Sequence, residues 1–401
     1  MRSQDVERLS EHFSPEPDPQ IESELRLGPS IPNAHRLAAL IHDDLAVGPP
    51  YGVRWWATPG TEHTACRIFV SDYLYSCTVS IPDHLRSVHL HWLELLACSD
   101  RERTVFGERT TIRDGRVRFR PKNPYEYLLG DLTQIHADGI VVALSSALDC
   151  LAASIVGVIA APLNIELTDF NEVRTHLRNL LTSKKRRRKN NLQTEFAQRL
   201  TSFIATRNGP DWIKWMSNYR NMIVHRARRT EFHEVVEDTA ILAPDGLPAR
   251  WRHAAHLPRH PLLSEVEAFL VAEPLGAICL AEEANDTLCG LIGRTTSLIE
   301  AVSGVLAEIW TARRGDPTLA RQPLSRQWKR PEHKPKEREI SEFLGFASKA
   351  EPIDPTKITQ PPSFEKRMLA AALDDGQNAI WATAGMEEFV PGNKRNSPDP
   401  K

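Results

Sequence analysis

Residues 139–162, GIVVALSSALDCLAASIVGVIAAP, form the longest apolar run in the chain and limit the fold more than any other feature. A run of this length spans a bilayer if it is helical. Asp149 stands at its middle, with Ser145, Ser146 and Ser154 around it, and much of the rest is alanine. Alanine drives insertion weakly, and a carboxylate at mid-bilayer is costly. The pattern therefore predicts a helix buried on all sides at the centre of a helical bundle, with no membrane partner.

The flanking sequence supplies the rest of that bundle. Asp169 reads as the cap of a second helix, with Glu172 completing a capping box. Its apolar face is Phe170, Val173, Leu177 and Leu180. A third helix carries Leu192, Phe196, Leu200 and Phe203. A fourth, from about 210 to 229, has Trp212, Trp215, Met216, Tyr219 and Ile223 as its core face. A long last helix repeats apolar residues at helical spacing from Ala281 through Leu288, Ile292, Ile299, Val302, Leu306 and Ile309 to Arg313. Mostly short joins place these helices in one bundle over 130–313. An insertion at 230–276, with several prolines and three spaced histidines (His253, His256, His260), reads as a solvated loop.

Outside the bundle the expectations differ. Residues 1–50 form a polar segment with one short helix, capped by Asn33 and faced by Leu37, Leu40, Ile41 and Leu45. Residues 51–125 read as a small α/β unit. Strands are expected at 67–70 and 73–81, a helix carries Val88, Trp92, Leu95 and Leu96, and a hairpin turns at Asp114-Gly115. Residues 315–401 are rich in Pro and Lys and predict a largely disordered tail with short docking helices. The expected fold class is mainly α.

Charge narrows the partners. Lys and Arg number 50 against 52 Asp and Glu, for a net charge of −2. No whole-chain field attracts nucleic acid, so any RNA contact must rest on local basic patches. Six cysteines (66, 77, 98, 150, 279, 289) are widely spaced without a CxxC pair, which argues against a zinc ribbon. With no apolar signal segment at the N-terminus, they read as reduced thiols in a cytoplasm. Phosphate-loop, dinucleotide and nucleophile-elbow motifs are absent, and neither a cofactor nor a metal is expected.

The stretch that carries chemistry is Asn218-Tyr219-Arg220-Asn221-Met222-Ile223-Val224-His225. It resembles the Arg-x4-6-His signature of the HEPN superfamily, in which a polar residue, here Asn221, commonly follows the Arg. The resemblance extends over roughly 130–313. It implies a HEPN-like helical bundle and a metal-independent endoribonuclease with Arg220, Asn221 and His225 at its site. The residue types suit that reaction. The ribose 2′-OH attacks the neighbouring phosphate, and a group titrating near neutrality must take its proton or protonate the departing 5′ oxygen. Arg supplies a permanent planar cation for the extra charge on the phosphorane.

Five residues at about 100° each set Arg220 and His225 about 140° apart around the helix. The family closes its cleft by dimerising, so the resemblance implies a homodimer, and with it a role in stress response or antiviral defence. It also leaves room for an inhibitory protein partner. Some members carry an AMP-accepting Tyr two residues after the His; Ala227 stands there, so that form of control is not expected. Arg226, Arg228 and Arg229 directly follow the motif and are candidate RNA contacts. Lys184, Lys185 and Arg186 open a basic run that suits an RNA backbone and a solvated interhelical loop equally. The competing reading of the whole pattern is a non-catalytic dimeric helical module that binds a protein partner or a nucleotide.

Overall fold

The structure, a computed structural model, describes residues 30–45, 64–113, 116–182, 191–207, 209–225, 232–237, 251–272, 278–316 and 319. Most of these are helical. In chain order the elements are α1 (Pro32–Leu45), α2 (Thr64–Arg109), β1 (Thr110–Arg113), β2 (Arg116–Phe119), α3 (Pro124–Val158), α4 (Phe170–Thr182), α5 (Asn191–Ala205), α6 (Asp211–His225), β3 (Phe232–Glu237), β4 (Trp251–Pro258), α7 (Leu263–Ala272), β5 (Cys279–Glu283) and α8 (Ala284–Gly315). The expected tail and the basic run at 184–189 lie outside the described residues.

The chain forms two compact units, each drawn from three stretches. Among the described residues, one takes in 30–32, 81–148 and 204–299; the other takes in 33–80, 149–203 and 300–316. Helices α2, α3, α5 and α8 contribute a segment to each.

In the second unit, the C-terminal end of α3 is enclosed: Leu151, Ile155 and Val158 are fully buried. The terminal carbonyls of a buried helix need donors. Arg313 Nη1 supplies Gly157 O at 3.1 Å and Val158 O at 2.5 Å. Gln193 Nε2 supplies Ile159 O at 3.2 Å and Ala160 O at 2.9 Å. Ala160 takes a positive φ of 49°, and Ala161 N reaches back to Val156 O at 3.0 Å, a left-handed helix stop. Asp149, the charge inside the apolar run, accepts from Phe170 N at 3.3 Å at the start of α4, where Asp169 Oδ1 also accepts from Glu172 N at 2.7 Å. Helix α1 is held at both ends by α8. Glu300 accepts from Asn33 N at 2.8 Å and Ala34 N at 3.3 Å, while Asp44 accepts from Trp310 Nε1 at 2.7 Å and pairs with Arg314.

In the first unit, α3 begins with a reciprocal cap. Glu126 N donates to Asn123 Oδ1 at 2.9 Å and Asn123 N to Glu126 Oε2 at 3.0 Å, with Arg120 paired to the same carboxylate. Burial works against ionisation of Glu126, but the Arg120 and Asn123 hydrogen bonds hold its carboxyl below the usual range. The hairpin expected around Asp114-Gly115 is present, with Thr110 opposite Phe119 and Arg113 opposite Arg116.

Three expectations are corrected. Residues 67–70 and 73–81 are not strands; they belong to the 46-residue helix α2, and the described residues of the expected α/β unit form this helix, a hairpin and the start of α3. The β-branched and aromatic residues there favour a strand locally. Burial at Leu74, Cys77, Thr78, Ile81, Leu85 and Val88 follows helical spacing instead, and tertiary packing overrides propensity. Secondly, the insertion is not a loop throughout. β3 pairs antiparallel with β4, placing His253 and His256 in a strand, and β4 pairs with β5. β5 lies beyond the insertion, so no single segment announces the sheet. Thirdly, residues 281–283, which read as the start of the last helix, belong to β5, and α8 begins at Ala284. Helix α3 is the one described helix long and apolar enough to cross a membrane, and 72% of its most apolar window is buried inside the protein.

Candidate functional site

Helix α6 carries the motif. Trp212, Ile213, Met216, Tyr219 and Met222 are its buried face. Trp215 anchors it at one side, donating from Nε1 to Pro258 O at 3.0 Å and stacking on Tyr219 with ring centres 5.1 Å apart. Tyr219 OH donates to the buried Asp138 Oδ1 at 3.5 Å, an oxygen that also accepts from Gln134 Nε2 at 2.7 Å. The register of the whole helix is thereby set from its core face.

Arg220 is half-buried. Its Nη1 donates to Asn221 Oδ1 at 3.1 Å, while its Nε is buried and has no hydrogen-bond partner among the described residues. Asn221 is exposed. His225 is exposed too, as the last residue of α6. The structure thus brings Arg220 and Asn221 together and sets His225 separately at the helix end. The expected RNA contacts Arg226, Arg228, Arg229, Lys184, Lys185 and Arg186 lie outside the described residues.

Beside the motif lies a groove of about 380 Å³ that the sequence did not announce. Helix α2 lines it with His84, Ser87 and His91, spaced i, i+3 and i+7 on one face. Helix α3 lines it with Asp138, Gly139, Val142, Ala143 and Ser146, and α6 with Ile223 and Val224. All of these residues belong to the first unit. Ile223 and Val224 stand three and four residues after Arg220, so in helical projection Arg220 lies between them, one turn earlier. His225 falls about 100° beyond Val224, off that face.

One of the groove's histidines, His91, is held in place. His91 Nδ1 lies 3.1 Å from His136 Nδ1, with the rings 5.4 Å apart and tilted by 55°. Gly139 packs directly on the His91 ring: a Cβ there would come within 2.6–2.8 Å of its atoms. Burial lowers the His91 pKa, and neighbouring His136 lowers it further. Burial also lowers that of His84, with Asp83 opposing. Both rings are therefore neutral near pH 7, each with one donor and one acceptor nitrogen. Among the described residues, no three His, Cys, Asp or Glu side chains cluster as metal ligands.

His84, His91, His136 and Asp138 escaped the sequence reading. The i, i+7 spacing of His84 and His91 was a visible signal, on the helix expected to carry Val88 and Trp92, but one helix face does not say which helix it meets. Compared with protein-family models, with curated proteins and with solved structures, the chain matches none.

Proposed function

We propose that this chain is a metal-independent endoribonuclease of the HEPN type, acting as a homodimer in stress response or antiviral defence. The observation that carries the reading is the disposition of α6. One well-anchored helix presents Arg220 beside Asn221 and leaves His225 exposed at its end. A half-buried guanidinium with a spare buried Nε suits a phosphate that arrives during reaction. In this scheme the 2′-oxygen bonds to phosphorus as its proton leaves, and the P–O5′ bond breaks as the departing oxygen gains a proton. His225 handles one of these protons. Arg220 meets the added negative charge of the phosphorane. The separation of about 140° around α6 is what a second copy of the chain would bridge.

Arg220→Ala and His225→Ala should each lower RNA cleavage by about a hundredfold or more, the range for removing a general acid–base or an oxyanion-stabilising group. Products should carry a 2′,3′-cyclic phosphate and a 5′-OH, and cleavage should persist in EDTA. Because His225 is exposed, its variant should unfold at the wild-type temperature. Equal cleavage by wild type and His225→Ala overturns the proposal.

A further inference from the structure

We propose that the groove lined by His84, Ser87, His91, Val142 and Val224 is a base-binding site, taking one unpaired base of an RNA whose phosphate meets Arg220; this rests on the ribonuclease reading above. Size comes first. At about 380 Å³ the groove lies at the lower end of the range for small-molecule sites, suited to a single nucleoside. Its chemistry then selects among ligands. Val142, Ile223 and Val224 offer apolar surface to the face of a ring. Ser146 offers a hydroxyl that donates and accepts, while the Ser87 hydroxyl, which donates to Asp83 O at 3.1 Å, offers an acceptor. His84 adds a ring with one donor and one acceptor nitrogen, and His91 adds its Nε2, its Nδ1 being engaged by His136.

Among the described residues no Lys or Arg lines this groove, and a carboxylate, Asp138, does, so an anionic group is disfavoured inside it. A neutral heteroaromatic ring with a mixed donor and acceptor edge fits, and that is a nucleobase. Single-stranded RNA is read in this manner, with bases splayed into pockets while the backbone is held outside them. Position agrees. Arg220 lies on the groove's side of α6, one turn or about 5.4 Å before Ile223 and Val224, so the cation for the phosphate sits at the groove's edge rather than within it.

The test uses uncharged nucleosides, so that surface cations play no part. Adenosine, guanosine, cytidine and uridine are titrated into the full chain by saturation-transfer NMR, with ribose as the base-free control. At least one nucleoside should bind, and ribose should not. Val142→Trp, which fills the groove, should weaken that binding at least tenfold. Ser87→Phe does the same from an exposed helix position and guards against misfolding of the first variant. Absence of nucleoside binding, or equal binding by both groove variants, overturns the site even if His225-dependent RNA cleavage is intact. Groove-dependent nucleoside binding by a chain that never cuts RNA supports the site and overturns the ribonuclease.

Discussion

At the scale of single residues, the tightest constraint around the groove is Gly139. No turn or positive φ demands glycine there; the neighbouring ring does. A methyl group would overlap His91 at 2.6–2.8 Å, so in Gly139→Ala the ring must swing away. A side chain moves more cheaply than backbone, and the cost should stay within about 1–3 kcal/mol, the usual range for overpacking. The change should appear instead in the His91–His136 contact. In a pH titration followed by NMR, His91 should titrate higher in the variant, because it escapes both the burial and the neighbour that now lower its pKa. An unchanged His91 titration would show that the ring keeps its place. Arg220 and Asn221 were legible in the sequence because the motif lies within a few neighbouring residues. The groove histidines were not, because their meaning depends on α2 and α3 facing one another, with their histidines 45 residues apart.

At the scale of elements, the ends of α3 show how much a buried helix depends on distant side chains. Its start is capped locally, by Asn123 and Glu126. Its end relies on Arg313, some 155 residues later, and on Gln193. Arg313 is 3% exposed, and burial lowers its pKa to about 10, still charged at neutral pH. The charge faces a helix C-terminus, where a cation is favoured. Arg313→Met keeps much of the bulk and removes the donors, leaving two carbonyls to find others. At roughly 1–3 kcal/mol for each unsatisfied buried group, the loss should be about 2–6 kcal/mol. It is measured as a fall in the urea midpoint; a fall equivalent to under half a kcal/mol would mean that water replaces the guanidinium. The capping box at Asp169 and Glu172 was legible because it is local. The role of Asp149, an oddity in an apolar run, became clear only with Phe170 N placed against it.

At the scale of the whole molecule, acid should destabilise the fold in two stages. His84, His91 and His176 all have pKa values lowered from 6.5, in each case first by burial. The folded chain resists their protonation while the unfolded chain accepts it. Their effect is therefore absent well above 6.5, and stability falls as pH drops through 6.5 toward the lower folded values. Glu126, lowered from 4.5, acts in the next window. Its contribution is present above 4.5 and disappears as pH falls through its folded value. Urea midpoints measured from pH 8 to pH 4 should be level at the top and decline below about 7, and His91→Gln should flatten the first part of the decline. A wild-type midpoint that holds to pH 5 would contradict this.

What the sequence by itself determined is what short-range patterns encode. The buried helix through most of 139–162, the amphipathic helices after it, the capping box at Asp169 and the hairpin around 114–115 were readable from residues a few positions apart, as was the bare Arg-x4-His spacing at 220–225. Tertiary structure decided the rest. It made a helix of 67–81, where β-branched and aromatic residues argued locally for strand, because the spacing of buried positions matters more than propensity once other helices cover them. It joined β3, β4 and β5 across the insertion boundary, since strand pairing depends on partners that no window contains. It also drew the groove from three helices, each of whose contributions looks like ordinary surface or core alone. A pocket is a relation between faces, and one sequence states the faces without stating which of them meet.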